Sequence, residues 1–412
     1  MRHLLLTLAV LAPLAASQDR KSPTTRADSQ TADWPQWRGP DRDGVAKGGG
    51  WSAEGREEAL WKAEIGIGYS TVSIADGRLY TMGHDKDAEQ DTVFCFDALT
   101  GEEIWRHEFA ADTLAKMHIG GTLSTPSVGA GLVFVQGRFG KFLCLDAKTG
   151  KVRWSKDLGE KYKVKVPTWG LASSPLVLDD MVIANIGRLV AYAAKTGKRI
   201  WKTAKDYGFA YSTPVDVTYR KKACLAVFNG VGLLLLDKKN GKPVTSTFKW
   251  KTRYDVNAAS PVPVGNDRFF ISSGYGKGCA LVAARGKGFK LLWENKEMRN
   301  HMSGCVFFDK HLYGFDESTV KCLDLEGEVK WSRRLGKGAL VIADGKLVVL
   351  SQRGKLVIAK ATPEEFSGIS STQVVSGGVC WTTPVVWRGL IYCRNSLGDL
   401  VCRDHRSTKR AR

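Results

Sequence analysis

Apolar residues in this chain alternate with polar ones over short stretches, and the stretches end in a repeated signature. Val93 to Phe96 runs into Asp97-Ala-Leu-Thr-Gly101 and closes on Trp105; Phe142 to Leu145 runs through Asp146 and Thr149-Gly150 to Trp154. The same phrase passes Thr196-Gly197 to Trp201 and Gly327 to Trp331, with looser copies ending at Trp250 and Trp293. Each copy predicts a strand, a tight turn in which glycine supplies positive φ, and a second strand capped by an aromatic residue. No window carries a sustained 3.6-residue period, so long helices are not expected.

A second phrase precedes each hairpin. Thr-Pro or Ser-Pro leads into an apolar strand at Pro126, Pro175, Pro214, Pro261 and Pro384, and weaker equivalents centre on Val72, Gly304 and Leu340. These eight markers lie 36 to 54 residues apart. Four strands per unit at that period is the pattern of a β-propeller, not of a helical solenoid. The fold class expected is therefore all-β, an eight-bladed propeller of four-stranded antiparallel blades. Blade 7 offers only Phe366 in the place of the closing Trp, and blade 8 runs out after Ser407 without one. The strand Ala59–Ile65, carrying Trp61, stands before the first marker; it is expected to complete blade 8 so that no sheet edge stays open. Removal of residues up to Leu60 is then expected to be tolerated better than removal through Ile65.

Four segments follow from this. Residues 1–17 have Arg2, an apolar run from Leu4 to Leu14 and the small residues Ala15-Ala16-Ser17, which read as a cleavable secretory signal. Residues 18–57 form an irregular segment packing on the propeller, with Trp34 and Trp37 as anchors; 58–405 are the propeller; 406–412 are a basic tail. No later apolar run reaches 18 residues, so no transmembrane segment is expected in the mature chain, which should be periplasmic or secreted. Nine cysteines in an exported chain would ordinarily suggest disulfides. Here Cys95, Cys144, Cys322 and Cys402 occupy one repeat position, too far apart for bridging, and are expected to be buried small hydrophobes.

The Asp-x-x-Thr-Gly-x-x-x-Trp phrase with its Ser/Thr-Pro partner resembles the pyrroloquinoline quinone (PQQ)-like β-propeller repeat over residues 58–405. The opening DWPQWRGPDRDGV at 33–45 resembles the leader of an exported bacterial subgroup. The resemblance implies two better understood groups of relatives: quinoprotein alcohol dehydrogenases, and the propeller subunit of the outer-membrane β-barrel assembly machine. The dehydrogenases imply PQQ on the propeller axis beside calcium, carboxylate and amide ligands, an Asp base and a vicinal disulfide. This sequence has no Cys-Cys and no CxxCH haem attachment. No cofactor is therefore expected, PQQ being possible but disfavoured. The chain reads as a binding or scaffolding module, the alternative being a quinoprotein-like oxidoreductase or another enzyme using the same channel mouth.

In a propeller the innermost strands line the axial channel, so residues three to six places before each marker should converge at its mouth. They are Trp169, Tyr211, Asp255, Asn257, Arg299, Asn300, His301, Lys337 and Trp381. This mixture of aromatic faces and polar groups suits a pocket for a polar or sugar-like ligand, or for the loop of a periplasmic partner protein. It would equally suit a plug in which these groups pair with one another. Asp255 beside His301 would form an acid–base pair. Asp85, Asp87, Glu89 and Asp91 alternate like the start of a calcium loop. Gln90 and Phe96 stand where that loop needs Gly and Glu, so a solvated turn is expected and no metal site.

The formal charge is +19, with 61 Lys and Arg against 42 Asp and Glu. Lys161, Lys163, Lys165, Arg220 to Lys222, and Lys409, Arg410 and Arg412 in the tail keep the chain soluble or attract acidic polymers and anionic membrane surfaces. Export and the lack of a nucleic-acid motif argue against nucleic acid as a physiological partner.

Overall fold

In the computed structural model each hairpin phrase becomes the two outer strands of a four-stranded antiparallel sheet, and eight such sheets make a propeller. Residues 33–116, 118–209 and 211–407 are described; the signal read at 1–17 and the tail residues Lys409, Arg410 and Arg412 lie outside them. Blade 1 comprises Ser73–Ala75, Arg78–Asp85, Gln90–Asp97 and Glu103–Ala110, and blades 2 to 6 begin at Ser127, Leu176, Val215, Val262 and Val306. Blade 7 begins at Gly338 and blade 8 at Val385. Among the described residues the one helix is Leu158–Tyr162, capped by Asp157.

The closing Trp explains why the turn needs glycine. Trp105 Nε1 donates to Ala147 O in the next blade (3.1 Å), Trp154 to Ala194 O (2.8 Å) and Trp201 to Lys238 O (3.1 Å). The indole lies on the turn glycine of that next blade. A Cβ on Gly150, whose φ is 71°, would come within 2.6 Å of the Trp105 ring. Positive φ and ring contact both exclude a side chain there. Trp250 departs from the rule and donates to Ser273 Oγ instead (3.1 Å).

The ring closes as the stray strand suggested. Ala59–Glu64 pairs antiparallel with Asp399–Asp404, completing blade 8. Trp61 then acts as that blade's closing Trp: its Nε1 donates to Ala98 O of blade 1 (3.2 Å), and its ring covers Gly101. Phe366 does not stand in for a missing Trp; it packs edge-on against Trp331 of blade 6 (5.4 Å). Trp51 is buried beside blades 7 and 8, against His405 (6.3 Å) and under Lys346 (5.2 Å).

The Ser/Thr-Pro phrase joins blades around the axis. Thr71 N donates to Thr125 Oγ1 (3.2 Å), Thr125 N to Ser174 Oγ (2.9 Å) and Ser174 N to Thr213 Oγ1 (3.0 Å). In blades 2, 4 and 8 the preceding hydroxyl also ties the blade to its own second strand, as in Ser212 to Phe228 O (2.5 Å) and Thr382 to Arg394 O (3.0 Å). Buried backbone groups near the axis need such partners. At the junction of blades 1 and 2, Arg138 Nη1 donates to both oxygens of Asp91 (2.7 Å each) while His84 bridges Asp91 (2.9 Å) and Thr113 (2.8 Å). The calcium-loop-like alternation thus divides: Asp85 caps an exposed turn, whereas Asp91 is a buried ion-pair partner.

Residues 33–46 enter the channel instead of covering the disc. Trp34 exchanges backbone hydrogen bonds with Ile74 of blade 1 (3.0 and 2.7 Å), and Pro35 O accepts from Val128 N of blade 2 (2.7 Å). Arg42 reaches Val177 O of blade 3, and Arg38 donates to Cys305 O (2.7 Å) beside blade 6. Val45–Ala46 runs parallel to Ile342 and Ala343, adding a fifth strand to blade 7. Asp33 accepts from Trp387 Nε1 of blade 8 (3.2 Å). The segment therefore touches six blades. Burial depresses the Arg38 guanidinium, which is held by the carbonyls of Arg42, Asp43 and Cys305. Removal of residues up to Leu60 would therefore also take away this stretch, which packs against the strands around the axis.

Candidate functional site

Convergence of the blades leaves a cavity of about 800 Å³ at one end of the axial channel. Its construction follows one rule. The residue three places before the marker of every blade lines it: Tyr69, Leu123, Ala172, Tyr211, Ala258, His301, Lys337 and Trp381, from blades 1 to 8 in order. The chain at this point is about to enter its innermost strand, so the side chain projects over the axis. Trp37 joins them from the segment inserted into the channel. Of the two Trp residues read as anchors, Trp34 is buried at 2% exposure, and Trp37 faces the cavity.

The aromatic groups form two walls. On one side Tyr69 stacks on Trp381 at 5.4 Å, with His118 edge-on to Tyr69 at 5.4 Å. On the other, Trp169 stacks on Tyr275 (6.3 Å) and meets Tyr211 (6.2 Å) and Tyr254 (6.2 Å). Tyr275 is edge-on to His301 at 4.6 Å. Burial raises the hydroxyl pKa of Tyr211 and Tyr275 and lowers that of the His118 imidazole, so all three favour their neutral forms.

The polar groups are unevenly distributed. His301 Nδ1 lies 3.2 Å from Glu317 Oε2 and 3.2 Å from Lys337 Nζ, and Lys337 lies 3.4 Å from Glu317. Arg253 is exposed, with its guanidinium over Tyr254 (5.3 Å). Neither Asp nor Glu is part of the lining itself.

Five of the nine residues read from the sequence are together here: Trp169, Tyr211, His301, Lys337 and Trp381. The other four are not part of the lining. Asp255 is exposed in a turn at φ 54°, and the carboxylate on His301 belongs to Glu317, so the Asp255–His301 pair does not form. Asn257 is fully buried, donating to Asn229 O (2.8 Å) and accepting from Ser273 Oγ (2.7 Å). Asn300 donates to Phe315 O (2.9 Å). Arg299 forks onto Asp316 at 2.6 and 3.0 Å. Positions four to six before the marker thus mostly serve the blades. Tyr69 was within reach of the same counting rule, because it stands three before Val72. Tyr254, Tyr275, His118 and Arg253 come from loops of irregular length, for which the repeat carries no register.

The donor set does not fit a calcium–quinone centre. The lining offers no carboxylate or carboxamide side chain to a hard divalent cation, and Asn257 and Asn300 are committed to backbone partners. No group of three or more potential metal ligands assembles among the described residues. All nine cysteines are free and buried. No helix among the described residues is long and apolar enough to cross a membrane.

An eight-bladed propeller whose axial end carries an aromatic-lined cavity defines the structural class. Comparison with known proteins places the chain within it. Residues 89–333 match the PQQ_2 family, described as outer membrane protein assembly factor BamB, and the chain belongs to that family. It is 28% identical over 199 residues to the outer membrane protein assembly factor BamB of Burkholderia pseudomallei, covering 46% of this chain and 45% of that protein. It is 26% identical over 147 residues to quinohemoprotein alcohol dehydrogenase ADH-IIG of Pseudomonas putida, covering 32% of this chain but 19% of the enzyme. The matches thus span less than half of each of these curated relatives. Among solved structures, BamB from Moraxella catarrhalis superposes with a TM-score of 0.58 at 15% identity, covering 85% of this chain and all of that one. The quinohemoprotein alcohol dehydrogenase from Comamonas testosteroni gives 0.67 at 12% identity, covering 92% and 81% respectively. At those identities the likeness concerns the fold.

Proposed function

We propose that this protein is an exported binding module of the BamB-like propeller family, and that its ligand or partner engages the axial cavity. The observation that carries this reading is the lining itself: all eight blades and the inserted segment contribute to one concave, largely aromatic surface of about 800 Å³. That volume and composition are those of a small-molecule site. Support for a site over a plug comes from the space that the lining encloses and from Arg253, which is exposed at it. Export rests on the signal read at residues 1–17. A second reading, a docking site for a loop of a partner protein, is favoured by the family match over residues 89–333.

The test is a thermal-shift screen of polar small molecules and candidate partner peptides. It compares the wild-type chain with a Trp169→Ala, Lys337→Ala double variant. A ligand of the folded form raises the melting temperature by linkage. Shifts confined to the wild type, with unchanged circular dichroism in the variant, support the cavity. Shifts that survive both substitutions overturn it.

A further inference from the structure

We infer that the cavity is built for an acidic oligosaccharide, a ligand with flat apolar ring faces and its own negatively charged acceptors. This rests on the reading of the cavity as a binding site and names what enters it.

The inference starts from which hydrogen-bonding groups remain available. The hydroxyls of Ser174 and Thr213 line the cavity, but both already accept from blade-joining amides, from Thr125 N and Ser174 N respectively. His118 Nδ1 accepts from Gly120 N at 2.9 Å, which places the hydrogen of the neutral ring on Nε2 and makes that nitrogen a donor. Trp381 Nε1 is buried without a partner among the described residues, again a donor. Arg253 has no carboxylate partner among the described residues and is a donor only, as is Lys337, whose single acid neighbour it shares with His301. No Asp, Glu, Asn or Gln is in the lining. The charged and N–H groups of the surface are therefore all donors, beside Tyr and Thr hydroxyls that can donate or accept, and its charge is positive with no acid in the lining. A carboxylate or sulfate answers both the donors and the charge with charge-assisted hydrogen bonds.

The walls supply the second half. Neutral sugars are commonly gripped at their hydroxyl edges by carboxylate and carboxamide side chains, which are missing here. The hydroxyls of Tyr69, Tyr254, Tyr275 and Thr168 can donate or accept, so the preference for an acid rests on Arg253 and Lys337. The aromatic faces of Trp37, Trp169, Trp381 and Tyr275 suit the apolar C–H faces of pyranose rings. Base recognition would need paired donor and acceptor side chains of the Asn or Gln type, which argues against a nucleotide. The cavity volume lies in the upper part of the range for small-molecule sites, which favours several linked rings over a single aromatic acid. The surplus of positive charge over the whole chain, +19, would draw such a polyanion towards the mouth.

The experiment titrates the chain lacking residues 1–17 with trigalacturonate, its fully methyl-esterified counterpart, maltotriose and benzoate, by calorimetry and intrinsic Trp fluorescence. Trigalacturonate should bind, with affinity falling as salt rises. The ester and maltotriose should bind at least about tenfold more weakly. Arg253→Gln and Lys337→Gln should each weaken trigalacturonate about tenfold, the loss of one hydrogen bond to a charged group. Arg253 is exposed, so its variant tests binding without touching the core. Equal binding of acid and ester overturns the charge selection, and binding of benzoate alone overturns the saccharide; either leaves the cavity as a binding site. If none of the four binds, the ligand class falls. The thermal-shift comparison then decides the site reading separately, since a cavity-dependent hit of another class, such as a peptide, would uphold it.

Discussion

Replacing Trp61 tests how the ring is closed. This side chain is 8% exposed, packs against Tyr392 (5.8 Å) and Phe96 (6.5 Å), and covers Gly101 of blade 1. A Trp buries roughly 150–250 Å², worth about 4–6 kcal/mol at ~25 cal/mol per Å². Partial collapse of the site brings the cost of Trp61→Ala to about 3–5 kcal/mol. The hydrogen bond adds little, because Ala98 O also accepts from Tyr392 Oη (2.9 Å) and stays satisfied. Trp61→Phe should therefore cost only about 1–2 kcal/mol. Urea unfolding of the chain lacking residues 1–17, followed by far-UV circular dichroism, measures both. Trp154→Ala is the internal control, since Trp154 has the same 8% exposure inside the ring. Hydrogen exchange should rise in Ala59–Glu64 and Asp399–Asp404 for the Trp61 variant alone. A Trp61→Ala loss below about 1 kcal/mol beside a control loss of 3 or more would refute closure through this strand.

Deleting residues 18–46 should lower the melting temperature markedly, because the deletion removes buried Trp34 and the contacts to six blades; an unchanged melting temperature would contradict the axial role of the segment. Burial alone would raise the Asp316 carboxyl, but hydrogen bonds from Arg299 and Lys321 outweigh it and leave the pKa below the ordinary value. The stability it contributes is thus present above the unfolded-state carboxylate pKa and lost as pH falls through the lower folded value. Asp316→Asn should be destabilised at pH 7 and should flatten the loss of stability between pH 5 and the acid limit, which a pH series of urea midpoints would reveal. Supplied with PQQ, calcium and an artificial electron acceptor, the purified chain should not oxidise simple alcohols or aldoses; steady turnover with stoichiometric cofactor would show that the lining holds a centre its donor set does not suggest.

What the sequence revealed depended on whether a residue lies in register with the repeat. The Thr-Gly turns, the closing Trp residues and the Ser/Thr-Pro phrase each serve one contact used blade after blade, so eight blades and the sealing strand could be counted. The same register located the cavity, since His301, Tyr211, Lys337 and Trp381 share the position three before the marker. One step further back the alternation of an extended chain turns side chains away from the axis, and Asn257 and Asn300 became buried partners of neighbouring carbonyls. Arg299 has the charge of a ligand contact, but Asp316, distant in sequence, claims it. The inserted path of 33–46 was hidden because its contacts are with strands up to 354 residues away, as for Asp33 and Trp387, and no repeat announces them.

The most direct measurement of the central claim is a crystal structure of the protein grown with saturating trigalacturonate. The expected result is sugar density inside the axial cavity, a ring face against Trp37 or Trp381 and a carboxylate within hydrogen-bonding distance of Arg253 or Lys337. Density only on the outer rim of the blades, with the cavity empty at a concentration that saturates the calorimetric titration, would contradict it.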